Sequence, residues 1–190
     1  MKTALLALVL AGPVPPGTLL TQADGHVGPP VAAAYRAPAV CDADFPSDRL
    51  VRSRASIELQ YRSARLSTDY IPTDTVHNTV TVYRAGGAAQ FITELRTAVR
   101  KCPLGRFGAR AAKFRLVENS DDALLVERST AAYNDDGSVA GGRRVTWIAA
   151  VRDGDAVTML ETIGYESGTA SPAEVRGLVK AAAKRLELLS

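Results

Sequence analysis

The 190 residues include only two histidines and two cysteines. Cys41 and Cys102 stand too far apart for a CxxC redox motif, and with His26 and His77 scattered along the chain they give no zinc spacing. A Ser-His-acid or Cys-His site has correspondingly little to work with, and no serine sits in a GxSxG elbow. Charge of one sign is also scarce. The net charge is +3, and Arg and Lys alternate with Asp and Glu without a basic run, so no nucleic-acid partner is expected. Long apolar runs are missing too. Residues 4–11 are too few to cross a bilayer as a helix, so no integral membrane segment is expected in the mature domain. These absences lead to the expectation of a protein that is not an enzyme and carries no cofactor or metal.

What the chain does have is 46% apolar residues, ordinary for a folded domain and too many for a disordered chain. Its start, Met1-Lys2-Thr3 before the apolar residues 4–11, has the order of a signal peptide, which points to a secreted or extracytoplasmic location. Residues 12–40 are a Pro/Gly-rich arm, because proline removes backbone donors and glycine permits any turn. One domain is expected over 41–190. Pro38-Ala39-Val40 does not suit lipid attachment at Cys41, since a small residue should precede the cysteine. Two cysteines in an exported chain pair naturally, and a Cys41–Cys102 disulfide is expected.

Periodicity supplies the elements. Ile57, Leu59 and Tyr61 alternate with polar residues, as do Val76, Val80 and Val82, so two strands are expected with a short connection between them. Phe91, Ile92, Leu95, Val99 and Cys102 follow at helical spacing, ended by Pro103. Further strands are expected around Phe114 and Leu116, over 124–132, over 144–152 and over 156–165. Ser171-Pro172-Ala173-Glu174 combines a capping box with proline at the first helical position, and Val175, Leu178, Val179, Ala182, Leu186 and Leu189 form the stripe of a last helix. The fold class is α+β: an antiparallel sheet of about six strands, in the order ββ-α-ββββ-α, with two helices packed on one face.

The last hairpin carries the candidate site. Asp153-Gly154 reads as its two-residue turn, which places Trp147 opposite Leu160 and Ile148 opposite Met159. One face then carries Trp147, Ala149, Val151, Ala156, Thr158 and Leu160. The other carries Thr146, Ile148, Ala150, Val157, Met159 and Glu161. A sheet with helices on one side should be polar on the other, yet both faces are partly apolar. Either the arm covers Ile148, Val157 and Met159, or they line a shallow groove, edged by Glu161, for a small hydrophobic ligand or a protein partner. His77, on the polar phase of its strand, is either a solvated histidine or a ligand contact. Asp121-Asp122 and Asp135-Asp136 read as turn-forming acids rather than a calcium site.

Residues 79–91, Thr-Val-Thr-Val-Tyr-Arg-Ala-Gly-Gly-Ala-Ala-Gln-Phe, continuing to Lys101-Cys102-Pro103, form a strand, a helix opening on small residues, and a cysteine at its end. This stretch resembles the extracellular sensor domain of PknH-type actinobacterial kinases and their stand-alone secreted relatives. The resemblance implies a disulfide-bonded α+β domain that binds an extracytoplasmic ligand in a cleft. The leading reading is therefore a secreted, non-enzymatic, sensor-like binding domain. A protein-interaction or inhibitor module using the hairpin face is the second, and an unrecognised secreted hydrolase the third.

Overall fold

The alternating runs become strands and the striped runs helices over residues 13–63, 71–133, 139–165 and 168–189, which the computed structural model describes. In chain order these are α1 (Gln22–Gly25), β1 (His26–Ala32), β2 (Val51–Tyr61), β3 (Asp74–Tyr83), α2 (Gly87–Lys101), β4 (Leu104–Phe107), β5 (Arg110–Asn119), β6 (Ala123–Tyr133), β7 (Val139–Asp153), β8 (Ala156–Thr162) and α3 (Pro172–Leu186). The strands form one antiparallel sheet in the order β1-β2-β3-β8-β7-β6-β5-β4. The leader-like residues 1–11 and Asp135-Asp136 lie outside the described residues. Among the described residues no helix is long and apolar enough to cross a membrane.

The α+β class stands, with eight strands rather than about six. The two additions are the sheet edges. β1 comes from the arm and pairs with β2 through an irregular register around Gly28-Pro29-Pro30, and β4 has four residues. Prolines and brevity both suit an edge, where one side of the strand needs no ladder.

The larger correction concerns the helices. α2 and α3 lie on opposite faces of the sheet, not on one. The α3 stripe Val175, Leu178, Ala182 and Leu186 packs on Trp147, Ala149, Leu160, Val76 and Val80. The α2 stripe Phe91, Ile92, Leu95 and Val99 packs on Ile148, Ala150, Val157, Met159 and Val126. The two sets alternate along β7 and β8, as period two requires. Each face of the hairpin is apolar because each meets its own helix.

The hairpin register also differs from the expected one. The turn is Gly154-Asp155, flanked by the Asp153–Ala156 pair, so Ile148 faces Glu161 and Ala149 faces Leu160. Glycine at the first central position, at φ +55°, suits a type II′ turn, in which only that residue needs positive φ. Each strand slides by one residue in the opposite sense, so every residue keeps its expected face.

The arm is threaded into the structure. Val14, Leu19 and Leu20 are buried with the α3 layer, while Val40 and Phe45 join the α2 layer. Leu20 N–H donates to Asn78 Oδ1 of β3 at 2.9 Å. Cys41 and Cys102 are disulfide-bonded, with Cα atoms 6.2 Å apart, and fasten the arm to the C-terminal end of α2. Gly105 lies directly beneath the two sulfurs, and a Cβ there would run into them. Ser171 caps α3 as expected: its hydroxyl accepts from Glu174 N–H, and the Glu174 carboxylate accepts from Ser171 N–H at 2.8 Å.

Candidate functional site

Four of the five ligand-site residues read from the sequence belong to the α2 face of β7 and β8, and β3 adds His77 to it. Ile148 has no exposed surface, and Val157 and Met159 are buried as well, all three beneath Phe91, Ile92 and Leu95 of α2. They are core, and the groove expected beside them does not exist as open surface. The cover is α2 itself, with Val40 of the arm and Phe45 just after it beside the helix.

Glu161 and His77 occupy the polar half of the same face. β8 sets Glu161 opposite His77, and β2 sets Glu58 opposite His77 on the other side. His77 Nε2 lies 2.9 Å from Glu58 Oε2, at an angle too poor for a well-formed hydrogen bond. Burial, aided by the Arg36 charge, holds the imidazole below the ordinary histidine range against the pull of Glu58 and Glu161. His77 is therefore neutral near neutral pH.

Glu161 is engaged elsewhere. Its carboxylate pairs with Arg128, which has no exposed surface. The same guanidinium donates to Thr146 Oγ1 and to the Thr162 carbonyl, each at 2.9 Å, and its carbon lies 3.4 Å from the centre of the Phe107 ring. Burial lowers the Arg128 pKa, opposed mainly by Glu161. One side chain thus ties together β4, β6, β7 and the end of β8. Elsewhere, on β2, Arg54 sits 3.5 Å from the Tyr35 ring centre and donates to Thr81 Oγ1, and burial pushes the Tyr35 hydroxyl up to about 12. Two carboxylates do converge on His77. Among the described residues, His77 Nε2 is left without a well-formed hydrogen bond.

One apolar concave surface lies on the opposite face. The sheet extends past α3 toward β5, leaving a cleft of about 260 Å³ between them. Leu125, Ala149 and Val151 form its floor, Val179 its helical wall, and Arg176, Lys180 and Glu118 its mouth. Arg176 Nε bonds Glu118 Oε1 at 2.5 Å across the opening. A second hollow, of about 420 Å³, continues along α3 past Val151 and Lys180 to Lys184, Asp153 and Glu187. The arm leaves this flank free because it packs against the other one, where Arg185 bonds Asp24 at 2.8 Å. The sequence does carry a sign of this site. Arg176, Lys180 and Lys184 recur every fourth residue beside the buried stripe, and so share one flank of α3. What the sequence does not display is the sheet projecting beneath that flank.

Comparison with known proteins finds similar solved structures. The chain is similar to the extracellular domain of PknH from Mycobacterium tuberculosis, with 13% sequence identity and a TM-score of 0.54 over 84% of each chain. The fold is shared. No protein-family model and no curated protein matches the sequence. The shared fold and the Cys41–Cys102 bond are both compatible with an extracytoplasmic location.

Proposed function

We propose that this protein is an extracytoplasmic, non-enzymatic, sensor-like domain that binds a small hydrophobic ligand in the cleft between α3 and the β5–β7 part of the sheet. The observation that carries this reading is the apolar cleft beside α3, whose accessible lining comes from the part-exposed Ala123, Val151 and Val179 over the buried Leu125 and Ala149. Apolar concavities edged by a few polar groups are where small ligands bind, and this one, at about 260 Å³, lies just below the usual size. Its concave shape favours a small molecule over the flat patch that a protein-interaction module would present. The fold shared with an extracellular domain adds a compatible setting.

The test is an NMR titration of labelled protein with 1-decanol, a neutral chain. Shifts confined to Leu125, Ala149, Val151 and Val179 are expected, and Val179→Phe, which fills the cleft from the helix side, should remove them while the melting curve stays cooperative. Shifts elsewhere, or none, would sink the assignment of the ligand to this cleft.

A further inference from the structure

The cleft's rim holds a charge that the fold does not use. Arg176 is matched by Glu118, and Arg185, on the far flank of α3, is matched by Asp24. Lys180 and Lys184 are both exposed, and neither has an ion pair or hydrogen bond among the described residues. Lys184 shares its hollow with two acids, Asp153 and Glu187. Lys180 lines both the cleft and this hollow, where they meet at Val151. Within the cleft itself the charged groups are Glu118, Arg176 and Lys180, and the Glu118–Arg176 pair cancels. One positive charge remains, next to an apolar floor.

Resting on the binding reading above, we infer that the ligand is a single-chain amphiphile with a monoanionic carboxylate head, its chain on Leu125, Ala149 and Val151 and its head at Lys180. Each part of this follows from chemistry at the site. The apolar floor takes a hydrocarbon chain and offers no polar side chain to a neutral head. Lysine acts as a compact point charge, suited to a small anion at a wet rim, with no geometric demand for a planar fork. A phosphomonoester carries roughly −1.5 to −2 charge near neutral pH and would exceed the single cation, whereas a carboxylate matches it. Asp153 and Glu187, further along the same flank, disfavour a second negative group beyond Lys180.

The experiment compares decanoate, 1-decanol and decylamine as probes, by calorimetry and NMR, on the wild type and on Lys180→Glu, Lys180→Arg and Lys184→Gln. Decanoate should bind the wild type more tightly than decanol. Lys180→Glu should weaken decanoate by about tenfold or more, since it replaces the attracting charge at the rim with a repelling one. The same variant should leave decanol within about twofold and should strengthen decylamine. Lys180→Arg should retain decanoate, which separates charge from any effect on folding, and Lys184→Gln should change it little. Equal binding of decanoate and decanol, unaltered by Lys180→Glu, would overturn the carboxylate assignment and leave the hydrophobic cleft standing. Failure of all three probes to shift Leu125, Ala149 and Val151 would overturn both readings together.

Discussion

Removing Glu161 should cost more than any surface substitution in this protein, because it leaves Arg128 charged and without its counterion in the interior. Arg128 has no exposed surface, and Glu161 is 6% exposed. In Glu161→Ala the guanidinium keeps its bonds to Thr146 Oγ1 and the Thr162 carbonyl, and its contact with Phe107, but none of these carries a negative charge. Breaking a buried pair from one side typically costs about 3–5 kcal/mol, a large part of the roughly 5–15 kcal/mol that holds a domain together. Arg128→Met should cost a similar amount, since it strands the carboxylate beside a neutral His77. The double variant Arg128→Met/Glu161→Leu buries no charge at all and should recover most of the loss, giving a coupling of roughly 2 kcal/mol or more. Urea melts followed by fluorescence read this directly. Trp147 is the sole tryptophan, and it is buried and held by its Nε1–H to the Ala170 carbonyl at 3.1 Å. Single losses under about 1 kcal/mol that simply add would refute the reasoning and show water reaching the pair.

Other expectations follow from the same contacts. His77 is held below its unfolded pKa of about 6.5, so the unfolded chain binds the proton more readily; its contribution to stability is present above about pH 6.5 and is lost as pH falls through the depressed folded value. Denaturation midpoints should therefore fall between about pH 7.5 and pH 5 more steeply in the wild type than in His77→Gln, and parallel profiles would contradict this. Replacing Cys41 and Cys102 together by alanine opens a link of sequence separation 61, which the chain-entropy relation converts to about 4 kcal/mol, and a melting shift of only a degree or two would argue against it. Ser171→Ala removes the hydroxyl that accepts from Glu174 N–H and should cost about 1 kcal/mol in urea melts; no loss would mean that the box does not stabilise α3.

The sequence shows the interior strands and both long helices because each carries a full period of apolar residues against a core. The capping box at Ser171 and the pairing of Cys41 with Cys102 were equally legible. The edges were not. In β1, Gly28-Pro29-Pro30 looks like irregular chain, and only the neighbouring β2 makes it a strand. The helix faces were hidden for a different reason. A stripe shows that a helix buries one side, and is silent on which side of a sheet it meets. The clue lay in the hairpin: Ile148 and Met159 are as apolar as Trp147 and Leu160, which two helices on opposite faces explain more simply than an open groove. Placing the turn at Asp153-Gly154 moved the register but not the faces, since opposite one-residue slides keep the parity. The candidate site fared worst, because Ile148, Val157 and Met159 were assigned either to cover by the arm or to an open groove, whereas α2 covers them. Arg176, Lys180 and Lys184 share one flank of α3 by their spacing, and only the sheet projecting beneath α3 gives them a cleft.

The most direct test of a ligand-binding domain is native mass spectrometry of the protein purified from its own host without detergent. The expected result is a mass above that of the chain, released on denaturation as a single small amphiphilic acid and missing from Val179→Phe prepared the same way. A bare chain in both preparations, with no added mass under gentle conditions, would contradict the claim that this fold carries a ligand in the α3 cleft.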